Sequence, residues 1–233
     1  MPRTGNYDGR QIDSSANAKS VVHLEFEDNN GQGWRGSGFI IDKHIIATCA
    51  HCIYNGTSFF DNYTIKIYDS NGTTLLNTLY AKELHVPSAY ISNPSKSNDY
   101  GLIYVDSSLS SYGNIALGTA TDYFMTTSSD VSISGFPGEV SGSPVGIVRY
   151  FETGSVLSTS TDDLLKTTAY ASGGDSGGPM YIEYTLGNDT FRSAIGICGY
   201  YNYDSGVRYS EGVRITTPVL RFYMDNEYIN SVN

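Results

Sequence analysis

Short runs of β-branched and aromatic residues recur along the whole chain, and Gly, Asn, Asp and Ser separate them. The run 63–68 alternates between apolar and polar positions, as a strand with one buried face does. About a dozen strands at this spacing predict an all-β protein, built as two small barrels or as a sandwich. The predicted strands are 21–26, 38–41, 44–48, 63–68, 75–80, 102–105, 131–134, 145–151, 164–168, 179–184, 194–198 and 212–215.

The last segment of the chain has helical periodicity instead. Thr217 suits the N-cap position, and Pro218 follows at the first helical position, where proline is tolerated. The sequence therefore predicts one C-terminal helix, over about 218–230. Its mostly apolar face is formed by Val219, Phe222, Tyr223 and Ile229.

The length of 233 residues suits one compact domain or two small lobes. No Pro-rich linker, heptad or repeat interrupts the sequence. We therefore predict one domain of two lobes that divide near 116–122. The N-terminal barrel would span about 18–118, the C-terminal barrel would span about 122–216, and the helix would pack back on the protein.

The composition excludes two classes of partner. The chain carries 24 acidic and 14 basic residues, a net charge of −10 at pH 7. Phosphate binding needs clustered Lys and Arg, so we expect no nucleic-acid partner. There is no apolar run of roughly eighteen residues, so we expect no membrane span. The polar start 1–6 holds no leader, which leaves a cytoplasmic protein or a secreted mature form, and the abundance of Tyr, Ser, Thr and Asn favours secretion.

Three cysteines allow at most one intramolecular disulfide. Cys49 and Cys52 flank a histidine in a Cys-x-x-Cys motif. A zinc site would need two more ligands, and a thioredoxin-like motif would need a βαβ context, neither of which the sequence offers. A local disulfide and two free thiols therefore remain open, and we predict neither a metal nor an organic cofactor.

The clearest functional signal is the segment 173–179, Gly-Gly-Asp-Ser-Gly-Gly-Pro. A serine hydroxyl becomes a nucleophile only when a base takes its proton, so Ser176 needs a histidine and a group that orients it. Gly174 lets the backbone turn so that its own N–H and that of Ser176 point at one spot, which forms an oxyanion hole. A Gly/Ser-rich surface turn, as at 140–143, is the structural alternative, but the full pattern favours catalysis.

Four histidines compete for the role of the base. His23 and His44 lie within predicted strands, and His85 lies in a loop before a proline. Only His51 follows the end of a strand of small residues, where a side chain can enter a cleft between lobes. We therefore assign His51 as the general base, which accepts the proton of Ser176 and returns it to the leaving amine.

The acid that orients the histidine should precede an apolar strand, so that it is desolvated and fixed. Asp99 stands directly before the run 100–105, whereas Asp106 stands at the far end of that run and suits a turn. We therefore expect Asp99 to accept a hydrogen bond from His51 and to hold its tautomer.

The segments 48–52, 99–102 and 174–179 resemble the trypsin/chymotrypsin superfamily of serine proteases. Their spacing and the segment 8–12 bring the chain closest to the bacterial glutamyl endopeptidases, the staphylococcal V8-protease group. The resemblance covers the chain from about residue 7 to the terminal helix. It implies two six-stranded antiparallel β-barrels, a catalytic cleft between them, secretion, hydrolysis of peptide bonds in a protein or peptide substrate, and a monomer.

The resemblance also implies a substrate pocket beside the serine, and here the chain departs from the family. The family's pocket histidine is matched by Cys198, which precedes Gly199, and its usual threonine or serine is matched by Ala171. Cys198 is either a buried strand residue or a free thiol that lines the pocket. Arg214 either pairs with a substrate carboxylate or lies on the outer face of its strand, bound to Glu211. We expect cleavage after Glu or Asp, with Arg214 as the cation.

Asp175 raises the question of activation. In trypsin-like enzymes the matching acid pairs with a newly freed N-terminal amine, whereas in the V8-like group the N-terminus lies near the specificity pocket. By alignment the mature start falls near Pro2, which makes Met1 an addition or a zymogen remnant. Cleavage after Arg3 or Arg10 is the other route that the sequence offers.

Two other functions compete with a general serine endopeptidase. One is a toxin-like protease with few targets, whose pocket stays closed until a target binds. The other is a binding protein on a protease scaffold, with Tyr-rich loops such as 199–203. The intact triad and oxyanion glycines argue against the second.

Overall fold

Strands dominate the computed structural model of this chain, which describes residues 8–120, 130–204 and 206–232. The predictions for Met1, Pro2 and Arg3 lie outside these residues. The strands are β1 (Gln11–Ile12), β2 (Val21–Glu27), β3 (Gly33–Asp42), β4 (Ile45–Thr48), β5 (Asp61–Tyr68), β6 (Leu75–Tyr80), β7 (Glu83–His85), β8 (Gly101–Tyr104), β9 (Ala116–Leu117), β10 (Asp130–Gly135), β11 (Glu139–Val140), β12 (Ser143–Pro144), β13 (Tyr150–Ser155), β14 (Leu164–Thr167), β15 (Pro179–Leu186), β16 (Asp189–Asp204) and β17 (Val207–Arg214).

The N-terminal half forms one curled antiparallel sheet. Its seven strands lie in the order β6-β5-β2-β3-β4-β8-β7. Alternate residues of the central strands point inward, because successive side chains of a strand face opposite sides. Leu24, Phe39, Ile46, Ile65 and Leu102 from five different strands are fully buried in one core.

The C-terminal half forms a second sheet, in the order β1-β13-β10-β15-β16-β17-β14, with β9 paired beside β16. Two of its strands come from outside that half: β1 pairs with β13, and β9 runs parallel to β16. The strand β9 falls in the region that we assigned to the first barrel, but it extends the second sheet. The rest of the division near 116–122 reaches residues outside the described part of the chain.

The sheets confirm the predicted all-β fold with two curled, mainly antiparallel sheets and a C-terminal helix. Without the short strands β1, β7 and β9, each sheet has the six strands that the prediction gives to each barrel. In the described part of the chain, no helix has the length and apolar character needed to cross a membrane. The two-residue strands β11 and β12 form a separate hairpin, apart from both sheets.

Within residues 8–120, 130–204 and 206–232, two α-helices accompany the sheets: α1 (Ser88–Ser92), which the sequence pattern did not predict, and α2 (Thr217–Val232). Val219 and Tyr223 of the predicted apolar face are buried in the same core as Leu102, and Phe222 packs against that core. The side chain of Ile229, the fourth residue of that face, lies outside the described part of the structure. The Tyr223 hydroxyl also donates to the carbonyl oxygen of Gly101 at 3.1 Å. The chain thus returns to its first barrel, next to the strand that follows Asp99.

The prediction of a strand over 145–151 is wrong at its start, because β13 begins at Tyr150. The cause is Arg149, a fully buried arginine. Its guanidinium donates to the carbonyl oxygens of Asp13, Asp69 and Ser70 at 2.8–2.9 Å. These bonds hold the segment before β13 against the loop 69–72 instead of in a ladder.

Candidate active site

The pairing of β4 with β8 brings the predicted base and acid together. Thr48 lies opposite Gly101, so the residues that follow β4 and precede β8 meet at the same end of the sheet. The His51 backbone N–H donates to Asp99 Oδ1 at 2.8 Å, and Nδ1 lies 2.7 Å from Asp99 Oδ2. Asp99 is fully buried and holds the tautomer in which Nδ1 donates, which leaves Nε2 free to accept a proton. The alternative acid, Asp106, instead pairs with Lys82 at 2.7 Å.

The other three histidines lie in the core or contact other residues. His23 is buried, and burial lowers its pKa to about 4. His44 donates from Nδ1 to the carbonyl oxygen of Val105 at 3.0 Å. His85 Nε2 lies 3.0 Å from a carboxylate oxygen of Glu83 on the surface. Only His51 combines a buried carboxylate partner with a cavity that it shares with Ser176.

The loop that carries Ser176 connects β14 to β15 and is anchored to β3. The Ser37 N–H donates to the Ser176 carbonyl oxygen, and the Ser37 hydroxyl donates to the Gly174 carbonyl oxygen, both at 2.7 Å. Gly174 has φ +103°, and a Cβ there would collide with the carbonyl of Phe136. Only glycine meets both conditions without strain.

Two backbone N–H groups of this loop are the predicted donors of the oxyanion hole. Among the described residues, no hydrogen bond uses the N–H of Gly174 or that of Ser176, whereas Asp175 and Gly177 donate to Ser172 and Cys198. Unpaired N–H groups on both sides of Asp175 are the donors that a developing oxyanion needs. The oxyanion hole of Gly174 and Ser176 stays a prediction, and these unpaired N–H groups are compatible with it.

The nucleophile itself is not yet bonded to its base. The Ser176 hydroxyl donates to the carbonyl oxygen of Gly199 at 3.2 Å. Both Ser176 and His51 line one cavity of about 520 Å³. Catalysis therefore requires a rotation of the Ser176 side chain from Gly199 toward His51 Nε2, a change that substrate binding produces in many hydrolases.

A second, smaller cavity of about 140 Å³ opens on the other side of Ser176. Ala171, Cys198 and Gly199 all line it, as the sequence predicted for the substrate pocket. Cys198 is buried, and burial raises the pKa of its thiol well above the ordinary value. It therefore contributes a small neutral wall. Ser172, Gly173, Tyr200 and Tyr201 complete the lining.

Arg214 does not join this cavity, in contrast to our expectation from the sequence. On β17 it lies two residues beyond Gly212, which is the residue that faces Cys198. Its guanidinium instead donates to the carbonyl oxygens of Ala120 at 2.6 Å and Thr161 at 3.5 Å. Two residues along a strand amount to about 7 Å, which moves the guanidinium out of the pocket.

Arg208 is a cation beside the pocket that the sequence analysis missed. Its guanidinium donates to the carbonyl oxygen of Ala171 at 2.6 Å and lies over the rings of Tyr170 and Tyr201, at 3.5 and 4.5 Å from their centroids. Its Nε atom is buried without a hydrogen-bond partner. Burial lowers the pKa of Arg208, and the charge of Arg10 lowers it further. The one sequence signal for this position is its place near the start of β17, six residues before Arg214.

Aromatic residues line the other side of the serine. The 520 Å³ cavity includes Trp34, Tyr54 and Tyr90 beside His51. A neighbouring depression of about 830 Å³ shares Trp34 and continues past Gly173. Ser176 lines both the 520 Å³ cavity and the small pocket.

The three cysteines are all buried and free in the structure, so no disulfide links Cys49 to Cys52. Cys49 Sγ donates to the carbonyl oxygen of Cys198 at 3.0 Å. The possible metal ligands Cys49, His51 and Asp99 lie within 4.8 Å of one another. Two of these ligand atoms are already joined, since His51 Nδ1 bonds Asp99 Oδ2, so a metal would have to break the pair that orients the base.

The charge on Asp99 sets the pH at which His51 works. Burial lowers the pKa of His51, but Cys52, Cys49 and Asp99 together raise it well above the ordinary value of 6.5. Burial and Asp99 raise the pKa of the Cys49 thiol to about 12, so this thiol is neutral at neutral pH. Asp99 is therefore the anion that favours the protonated imidazole.

We expect kcat/KM to fall as the pH drops through a pKa above 6.5, because only neutral His51 can accept the proton of Ser176. The measurement is a profile of kcat/KM against pH on a peptide ester, between about pH 5 and 9, which spans the ordinary histidine pKa of about 6.5. An acidic limb centred below 6.5 would contradict this assignment of the base.

Comparisons with known proteins agree with this fold. The family model of the trypsin-like peptidase domain matches residues 36–184. The structure of a Glu endopeptidase in complex with MPD superposes with a TM-score of 0.76 at 20% identity, over 96% of this chain and 98% of that one. The thermostable serine protease AL20, from an extremophilic microorganism, gives 0.72 at 17% identity, over 94% and 100%.

The protease Anisep from Arthrobacter nicotinovorans gives a TM-score of 0.67 at 16% identity, over 90% of this chain and 95% of that one. No curated protein sequence matches the chain. At these identities the solved structures establish the fold alone. Because the matched family model spans more than half of the sequence, the chain belongs to the trypsin-like peptidase family.

Proposed function

We propose that the chain is a secreted serine endopeptidase that cleaves peptide bonds through an acyl-enzyme intermediate on Ser176. The His51 pair with the buried Asp99 carboxylate, at 2.7 Å, is the observation that carries this proposal. It fixes the ring with Nε2 as the proton acceptor, beside the cavity that holds Ser176. Secretion rests on the polar, weakly charged composition.

The reaction follows from these positions. Nε2 of His51 takes the Ser176 proton as Oγ attacks the peptide carbonyl carbon, and the carbonyl oxygen gains charge facing the N–H groups of Gly174 and Ser176. His51 then gives the proton to the leaving amine, and the acyl group stays on Oγ. Water, deprotonated by His51, attacks the ester carbonyl; the bond to Oγ then breaks, and His51 returns the proton to Oγ as the acid leaves. Asp99 stays ionised throughout and stabilises the imidazolium.

Acidic residues are the proposed preference at the cleavage position, with Arg208 as the recognising cation. The cavity of Ala171 and Tyr201 is the pocket that the substrate side chain would enter, and Arg208 contacts both residues. A half-buried guanidinium with an unbonded Nε gains most from a nearby anion, because burial opposes its charge. A carboxylate in the pocket would offset that cost.

The matched variants Arg208→Ala and Arg214→Ala test this preference. We expect Arg208→Ala to lower kcat/KM for a Glu substrate about 10- to 100-fold relative to its Gln isostere, the effect of losing a hydrogen bond to a charged group. Arg214→Ala removes an equal charge that faces the carbonyls of Ala120 and Thr161, so it should leave the Glu/Gln ratio unchanged. The reverse pattern would return the role to Arg214.

Two measurements test the protease itself. A fluorophosphonate should label the peptide that contains Ser176, and a diverse peptide library should be cut, with products read by mass spectrometry. Labelling together with cuts after Glu or Asp is the expected result. Labelling with negligible turnover of the library would instead favour a narrow-specificity, toxin-like protease, and the absence of labelling would favour a binding protein on this scaffold.

A further inference from the structure

We infer that Arg10 is a built-in counter-ion of Asp175 that holds the loop 172–176 in its catalytic conformation, a role that then needs no freed α-amino group. The inference rests on the proposed serine-protease function. It assigns a positioning role to Arg10, because Arg10 contacts the loop behind the serine and acts through Asp175.

The contact is a buried ion pair with added hydrogen bonds. The Arg10 Nη1 atom lies 3.1 Å from Asp175 Oδ2 and donates to the Ser172 hydroxyl at 2.7 Å. The two charged side chains are 1% and 3% exposed. Asp175 Oδ2 also accepts the Ser172 N–H at 2.9 Å, so the loop closes on the same carboxylate oxygen. Breaking such a pair leaves a buried charge without compensation, which is strongly unfavourable.

Arg10 is itself fixed from the other side. Asp8 binds it in bidentate fashion, with Oδ1 accepting from Nε at 2.9 Å and Oδ2 from Nη2 at 2.7 Å. Nη2 also donates to the carbonyl oxygen of Glu139 at 2.6 Å, and Asp8 Oδ2 accepts the Ser141 N–H at 2.6 Å. The planar guanidinium thereby links three segments by hydrogen bonds: residues 8–10, the hairpin of β11 and β12, and the serine loop.

The position of Asp175 explains why this pair matters for catalysis. Asp175 lies between the two residues whose unpaired N–H groups form the oxyanion hole, Gly174 and Ser176. A turn of the Asp175 side chain toward solvent would rotate the peptide groups on both sides. Pairing with Arg10 removes the reason for that turn, because the carboxylate is already neutralised within the protein.

The charges around Asp175 act in opposite directions. Burial raises the pKa of Asp175 to about 6, while Arg10 lowers it and the neighbouring Asp8 raises it. Cys198 also faces this carboxylate. Loss of Arg10 would leave mainly the Ser172 N–H to oppose burial and Asp8, and it would favour the protonated acid, which cannot hold the loop through an ion pair.

The geometry also bears on activation. In trypsin-like enzymes a freed amine pairs with the matching acid, whereas here a guanidinium from the segment before β1 pairs with Asp175. Cleavage after Arg10, the alternative from the sequence, is disfavoured because Arg10 is buried and held by four hydrogen-bonding partners.

The test compares Arg10→Gln with Arg192→Gln. Arg192 is an equally buried arginine, but it binds Asp13 at 2.9 and 3.1 Å, farther along the same N-terminal segment. Each variant and the wild type is measured for Tm, for kcat and KM on one peptide ester, and for the rate of fluorophosphonate labelling. We expect Arg10→Gln to lose about 10²- to 10³-fold in kcat and in labelling rate, the size of a lost oxyanion donor, with little change in KM.

The control separates positioning from stability. Arg192→Gln should lower Tm but keep kcat within about twofold, because its pair with Asp13 lies away from the serine loop. Arg10→Lys keeps the positive charge but loses the forked guanidinium, so its kcat should be about tenfold higher than that of Arg10→Gln. Millimolar guanidinium should also restore part of the activity of Arg10→Gln.

Several results would overturn the inference. Wild-type kcat in a folded Arg10→Gln variant would do so, and so would equal kcat losses in the Arg10 and Arg192 variants. If Arg10→Gln fails to fold, the double variant Arg10→Gln/Asp175→Asn carries the test, because it leaves no unpaired buried charge. We expect its kcat loss to be no greater than that of Asp175→Asn alone. Additive losses from the two substitutions would refute the pair. Failure of the wild type to react with the fluorophosphonate is a separate result, which would refute the proposed function and the inference with it.

Discussion

Replacing Ser176 with alanine is expected to lower kcat by about 10⁶-fold, the loss found when the nucleophile of such a triad is removed. Oγ of Ser176 is the atom that forms the acyl-enzyme. The two nearby serine hydroxyls cannot replace it, because Ser172 accepts a hydrogen bond from Arg10 and Ser37 donates to the Gly174 carbonyl oxygen. The measurement is the initial rate on a peptide ester at a series of enzyme concentrations.

The binding of substrate should survive this change. Ala171, Cys198 and Gly199 line the pocket independently of Oγ, so the inactive variant should still retain a peptide that the wild type cleaves. Ser108→Ala, on an exposed loop, is the matched control and should keep the wild-type rate. A Ser176→Ala variant that still forms a labelled acyl-enzyme would show that another residue is the nucleophile.

The triad was predictable because each member stands next to a local pattern. His51 follows the strand that ends at Thr48, Asp99 precedes an apolar strand, and Ser176 lies within a glycine turn whose φ of +103° at Gly174 only glycine adopts readily. Such signals lie within a few residues of the side chain that they position. The antiparallel pairing of the strands then brings the first two members together.

The second layer of the site was not predictable, because its contacts join distant parts of the sequence. Arg10 and Asp175 are 165 positions apart, and Arg208 lies 37 positions from Ala171. Neither arginine has a neighbouring residue that indicates burial. Only the fold, in which β1 joins the sheet of the C-terminal half, carries Arg10 to the back of the serine loop.

Arg214 shows a different limit. The sequence correctly places it on the strand next to Cys198, since β16 and β17 are paired and Gly212 faces Cys198. A periodic pattern gives the face of a strand on which a side chain lies, but not how far along the pocket it stands. The two-residue offset from Gly212 directs the guanidinium to Ala120 and Thr161 instead.

Asp99→Asn is expected to lower kcat by about 10⁴-fold without unfolding the protein, the effect of fixing the wrong histidine tautomer. The asparagine oxygen can still accept the His51 backbone N–H, as Asp99 Oδ1 does at 2.8 Å. Its NH₂ group would replace Oδ2 and donate to Nδ1. The imidazole would then adopt the other tautomer, in which Nε2 carries the proton. His51 could then no longer accept the Ser176 proton.

The pH profile distinguishes this cause from a general loss of structure. Asp99 raises the pKa of His51, so its neutralisation should move the acidic limb of kcat/KM to lower pH, while the maximum falls. Asp106→Asn is the matched control: Asp106 pairs with Lys82 at the surface, so both the limb and the maximum should stay where they are in the wild type. If Asp106→Asn produced the loss and Asp99→Asn did not, the orienting acid would have to be reassigned. If Asp99→Asn lowered kcat but left the limb unmoved, the carboxylate would serve to hold the 2.8 and 2.7 Å bonds to His51 without governing its charge.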